Sequence, residues 1–103
     1  MSRPYFAAFA VALALASPAV ARSPDPLHGR NLAAACANCH GTNGVSRESI
    51  PSLAGRDRAD LARQMQDFKT GRRPATVMHQ IARGYTDAQI DAIAAYLSAQ
   101  RTR

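Results

Sequence analysis

The chain has 103 residues, 13 Lys or Arg against 7 Asp or Glu, a formal net charge of +6, and a 47% hydrophobic composition. That length supports one domain. The basic residues are scattered rather than blocked, which fits a solvated surface and gives no sign of a nucleic-acid-binding one; there are no internal repeats.

Met1 to Ala21 read as a secretory signal peptide. Arg3 supplies the positive start, Phe6 to Ala16 is an apolar run of eleven residues, and Ala19-Val20-Ala21 is a small-x-small cleavage site, so the cut is expected after Ala21. The run is well short of the roughly 20 apolar residues that span a bilayer. Residues 22–103 are therefore expected to form one exported domain, in the periplasm, with no stable membrane insertion after the leader is removed. A domain of this size buries only about 60–65% of its unfolded surface and is marginal on its own core.

Asp25 followed by Pro26 reads as a helix start, an N-cap oxygen and then proline at the first helical position. The helix is predicted to run through Leu27 and Leu32 to Cys36, with Gly29 placed for a close crossing by another helix at Ala94 and Ala95. His28 is expected to face solvent. Next comes Cys36-Ala37-Asn38-Cys39-His40. Two cysteines three apart followed at once by histidine form a c-type haem attachment pattern. Positions i and i+3 share one face of a helical turn, so both thiols can add to the two vinyl groups of one porphyrin edge while His40 binds the iron. A zinc site would need four donors, and these are the only cysteines in the chain. A thioredoxin-like pair belongs beside a βαβ pattern, and no strand run is evident. The pattern thus calls for one haem c, covalently held.

Gly41 to Gly44 are turn formers, and a loop follows with Ile50-Pro51-Ser52-Leu53-Ala54-Gly55. A ligating histidine usually donates its second ring N–H to a carbonyl or carboxylate; the Pro51 carbonyl is the candidate acceptor for His40, and Leu53 is a candidate haem contact. Arg58 to Thr70 reads as a helix with Leu61, Met65 and Phe68 on one stripe and Gly71 as its stop. Met65 is read there as core. Arg72 and Arg73 are equally readable as partners of haem propionates or as surface charge. Ala75 to Arg83 is a short helical segment between Pro74 and Gly84. Thr86 to Gln89 is a capping box opening a last helix with Ile90, Ile93, Ala94 and Leu97 on one face.

Met78 is the candidate sixth ligand, opposite His40. His79 is the competitor, but neighbouring helical residues point about 100° apart, and Val77 and Ile81 turn the apolar face of the segment, with Met78, toward the haem.

The CANCHG signature, the IPSLAG loop and the distal methionine followed by a capped helix with AAYL resemble a small class I cytochrome c. The runs IPSLAG, QMQDFKTGRRPATVM and IARGYTD are similar to the haem domains of the cytochrome subunit of flavocytochrome c sulfide dehydrogenase. The resemblance implies an all-α fold of three to five helices wrapped around the haem, His40 and Met78 as axial ligands, and terminal helices crossing around Gly29, Leu32 and Tyr96. Arg56 and Asp60 depart from the pattern, which commonly has glutamine and an aromatic residue there. The function implied is single-electron transfer by a chain that is not itself an enzyme, as the electron-accepting subunit of a flavoprotein. The alternatives are a free shuttle serving another redox protein, between a membrane complex and a terminal reductase or oxidase, and a haem sensor or peroxidase-like enzyme with Met78 displaced.

Overall fold

The computed structural model describes residues 27–102, together with residues 2–4, 10, 12 and 14. The cleavage after Ala21 and the helix start at Asp25 and Pro26 lie outside the described residues, as does most of the Met1–Ala21 leader. Among the described residues all regular structure is helical. α1 (His28–Ala33), a 3₁₀ turn (Ala34–Cys36) and α2 (Ala37–His40) follow one another without leaving right-handed backbone angles. A 3₁₀ turn (Thr42–Gly44), α3 (Arg58–Lys69), α4 (Met78–Arg83) and α5 (Asp87–Ser98) complete the order.

The two long helices begin where local chemistry says they should. Asp57 caps α3, its carboxylate accepting from the Asp60 backbone N–H at 2.9 Å. Thr86 and Gln89 exchange both capping-box bonds at α5, at 3.1 and 2.9 Å, so one amide donor at the start of α3 and two at the start of α5 find side-chain acceptors. Gly71 follows α3 with φ +78°, a left-handed conformation that ends the helix at no cost in Cβ strain.

α1 packs on α5, and α3 packs on both α4 and α5. The shared core is small: Ala33, Leu61, Ile93, Ala94 and Leu97, with Leu32, Leu53, Tyr85 and Tyr96 partly buried against it. Ile90, Ile93, Ala94 and Leu97 are all buried, as the periodicity of α5 predicts. Across the α3–α5 junction, Lys69 Nζ donates to the Tyr85 carbonyl at 2.7 Å and to Asp87 at 3.1 Å, and Gln66 donates to Asp87 at 2.9 Å. Gln66 first, then Lys69, hold the Asp87 carboxyl below its ordinary value. Its folded-state pKa being depressed, this junction is at full strength above the ordinary carboxylate range and weakens as pH falls through it.

The terminal helices cross at Gly29 and Tyr96, as the resemblance implies, with Ala92 rather than Ala94 or Ala95 bringing its backbone to Gly29. A Cβ there would lie 2.7 Å from the Ala92 carbonyl oxygen and 3.1 Å from Tyr96 Cβ. Ala94, expected opposite Gly29, is turned into the core instead. Gly29→Ala should gain up to about 1 kcal/mol of helix propensity, but the clash is with backbone, and overpacking of this kind costs about 1–3 kcal/mol. A lowered denaturation midpoint is expected in urea melts, and a midpoint equal to or above that of the parent contradicts the crossing.

Candidate functional site

His40 ends α2, and the chain reverses at once. Gly41 has φ +83°, and a Cβ on it would sit 1.9 Å from the Val45 carbonyl oxygen, so no other residue fits. The reversal brings the Gly44 carbonyl to the backbone N–H groups of Leu53 and Ala54, at 2.7 and 3.1 Å. Ser52 Oγ accepts from Ser46 N–H at 2.8 Å. Gly55 N–H donates to Leu97 O at 3.0 Å, and Tyr96 OH donates to Asn43 Oδ1 at 2.6 Å. The 50–55 loop is thereby tied to both the α2 turn and α5.

That loop places the Pro51 carbonyl 2.7 Å from His40 Nδ1. A carbonyl only accepts, so Nδ1 carries the proton and Nε2 keeps its lone pair. This is the tautomer a ligating imidazole needs. Proline suits the acceptor position because it has no N–H to satisfy and still presents its C=O.

Cys36, Cys39, His40, Pro51, Leu53 and Met78 all line one cavity of about 760 Å³, inside the range of about 300–1,000 Å³ typical of small-molecule and cofactor sites. Its walls come from every part of the fold: Ile50 from the loop, Leu61 and Phe68 from α3, Ile81 from α4, Ile93 and Leu97 from α5. Val77 and Ile81, 52% and 41% exposed, present apolar surface to this cavity. The donor set fits haem c: two free thiols three residues apart, an imidazole with Nε2 available, and a thioether on a separate helix. Burial, against a weaker opposing backbone hydrogen bond, pushes the Cys36 thiol up, which disfavours the thiolate that a zinc or redox-active cysteine requires. Among the described residues no three of His, Cys, Asp and Glu gather as a metal site does, so the two cysteines have no further zinc donors.

Met78 opens α4 as its first residue, after Val77 leaves helical geometry at φ −133°. His79 is not among the residues lining the cavity, and its Nδ1 is buried with no hydrogen-bond partner. His28 is exposed, as its sequence context suggests. Met65, expected in the core, instead lines the cavity with Phe68: the stripe of α3 faces the cavity and only Leu61 reaches full burial. Arg73 lines the cavity as well, its guanidinium 5.1 Å from the centre of the Phe68 ring; Arg72 does not. Sequence reasoning missed Gln64, Thr76 and Tyr85 as polar members of the wall. The signal for Gln64 was its place one residue before Met65, three after Leu61, on the same helix face.

Two kinds of comparison bear on this geometry. The family model described as cytochrome c oxidase, cbb3-type, subunit III matches residues 28–97. The cytochrome subunit of sulfide dehydrogenase from Chlorobaculum tepidum is 41% identical over 88 residues, 85% of this chain and 79% of that protein. The thiosulfate dehydrogenase electron acceptor of Stutzerimonas stutzeri is 42% identical over 74 residues, 69% of this chain but 34% of that protein. The solved cytochrome c4 of Acidithiobacillus ferrooxidans superposes with a TM-score of 0.61 at 42% identity, over 63% of this chain and 38% of that one. This chain thus spans about a third of the length of these last two relatives. A family match over most of the chain, a relative matched over most of both lengths and, among the described residues, a helical fold like that of cytochrome c4 give one conclusion: the chain belongs to the cytochrome c family and has the class I cytochrome c fold, in a family that binds haem c.

Proposed function

We propose that the chain is a periplasmic single-electron carrier holding one haem c by thioether bonds to Cys36 and Cys39, with His40 and Met78 as axial ligands. Residues 1–21 are its cleaved leader and residues 22–103 its monohaem domain. The observation that carries this reading is the convergence of Cys36, Cys39, His40 and Met78 on one apolar cavity. Haem supplies a one-electron Fe(III)/Fe(II) couple. The chain supplies the rest. Pro51 fixes the His40 tautomer and ring orientation. Leu53, Phe68 and Ile81 form walls that exclude water and lower the local dielectric, a lever on potential. Met78 offers a neutral thioether, which raises the potential relative to a second histidine. Were His40 and Met78 both to hold the iron, they would leave no site there for a substrate, and the chain would act as a carrier rather than as an enzyme. Among the described residues no helix is long and apolar enough to cross a membrane.

The partner is a flavoprotein that oxidises sulfide, with this chain as its electron-accepting subunit. The 41% identity to a sulfide dehydrogenase cytochrome subunit supports it. Cys39 is exposed; Ala37 and Val45 lie beside it in a groove whose other walls include Arg47, Glu48 and Arg101, and Val77 is 52% exposed on the other cavity, so small and apolar side chains are available to a partner among charged ones. A permanent subunit interface should be apolar and bury on the order of 2,000 Å² or more. The second reading, a free shuttle, is favoured by the similarity to a thiosulfate dehydrogenase electron acceptor and by the positive net charge, +6 for the full chain and +5 once Arg3 leaves with the leader, which steers encounter with acidic partners in a salt-dependent way.

Three outcomes test this function. Cys36→Ala/Cys39→Ala protein should be largely unfolded by far-ultraviolet circular dichroism, because a cavity lined by so much apolar surface does not collapse on its own side chains; a cooperative, native-like melt contradicts that. Met78→Ala should admit imidazole or CO and lower the potential, whereas Met65→Ala and His79→Ala should do neither. An unchanged ligand-field spectrum in Met78→Ala moves the ligand to Met65 or His79. Finally, sulfide should reduce the isolated chain slowly and reduce it fast once the flavoprotein is added. Equal rates with and without it remove the sulfide-oxidising partner and leave the free shuttle.

A further inference from the structure

The charges around the cavity are one-sided. Arg56 and Arg73 line it, and no Asp or Glu does. Among the described residues neither guanidinium has a carboxylate partner. Of the nearby acids, Asp57 caps α3, Asp60 pairs with Arg63 and Asp87 takes Gln66 and Lys69; Asp67, whose backbone carbonyl takes the Arg73 N–H, makes no ion pair with either arginine. Both arginines are also anchored through their backbone. Arg56 N–H donates to Leu53 O at 3.3 Å, at the end of the loop that carries Pro51, and Arg73 N–H donates to Asp67 O at 3.1 Å. The Arg73 head is further held over the Phe68 ring. Arg56 is half-buried and Arg73 exposed. Two cations on a mostly apolar wall, with no ion-pair partner of their own, are the complement of a ligand that is apolar over most of its surface and carries two carboxylates. Haem, with its two propionates, has that chemistry, and guanidinium matches a carboxylate in a bidentate way.

We propose that Arg56 and Arg73 form a two-point carboxylate-binding subsite for the haem propionates, and that Arg56 sets the potential of this chain. The inference rests on the haem-binding reading above. A positive charge fixed in the cavity wall disfavours Fe(III), the more positive state, and so raises the potential; Arg56, being less exposed, is screened less than Arg73.

The test uses the haem-loaded full chain and its midpoint potential by spectroelectrochemistry. Arg56→Gln removes the charge at similar length and should shift the Fe(III)/Fe(II) equilibrium toward Fe(III) by on the order of tenfold, which for a one-electron couple is about 59 mV. Arg56→Lys keeps the charge and should stay near the parent, an outcome that a purely structural role for the guanidinium would not give. Arg73→Gln should shift the potential in the same direction by less. In the oxidised protein, the paramagnetically shifted propionate methylene proton resonances should move in Arg56→Gln. Parental potential and parental propionate resonances in Arg56→Gln, with an intact haem spectrum, overturn the subsite. Should Arg56→Gln not accumulate, parental potential in Arg73→Gln overturns it equally. A parent chain that carries no haem at all would overturn the cytochrome reading itself, a result separate from the other two.

Discussion

The structure depends on a core that is shared between protein and cavity. The buried hydrophobic side chains among the described residues are four alanines, one other aliphatic from α3, Leu61, and three from α5, Ile90, Ile93 and Leu97. Of these, only Ile90 is a large side chain buried to below 2% exposure. Helices packed through residues this small gain little from one another, and a domain below about 100 residues is already marginal. The larger apolar groups, Phe68, Met65, Val77 and Ile81, are spent on the cavity wall instead. The helices are therefore arranged around a site more than they are packed into a protein core.

That constraint explains where the chain is rigid. The strongest local determinants converge on the α2 turn: Gly41 in a conformation no other residue tolerates there, the Gly44 carbonyl gripping Leu53 and Ala54, and the Tyr96–Asn43 hydrogen bond from α5. Together they present Pro51 to His40 at hydrogen-bond distance. The opposite wall is held by one short helix. α4 has six residues and no side-chain cap at its start, so Met78, its first residue, is held through the packing of α4 on α3. A rigid His40 side and a more lightly held Met78 side follow from these differences, and local opening is expected to begin at the second.

Much of this was legible in the residues because it is local. The capping box, the Asp57 and Gly71 limits of α3, and the buried face of α5 all follow from positions within one or two turns. The cysteine pair and its histidine are equally local, and the Pro51 carbonyl was reachable because proline presents a C=O with no N–H of its own, in a loop just downstream of His40. Periodicity identifies a helix face but not what lies opposite it. Hence Met65 was read as core when its stripe lines the cavity, and the Gly29 crossing, expected at Ala94 and Ala95 and around Tyr96, does meet Tyr96 but takes the Ala92 carbonyl while Ala94 turns into the core. The tightening to 3₁₀ geometry at Ala34–Cys36, which draws i and i+3 toward one line, has no signal in an alanine-rich run. The engagement of Asp57 and Asp60, which leaves Arg56 unpaired beside the cavity, is a tertiary fact.

The central claim is that Cys36 and Cys39 are thioether anchors of a haem around which the domain folds. It is tested most directly by peptide mass spectrometry of the protein purified from its own host, after alkylation of free thiols under denaturing conditions. A peptide containing residues 36–40 that carries one haem and no alkyl group is the result expected. The same peptide without haem and alkylated at both cysteines would contradict the account.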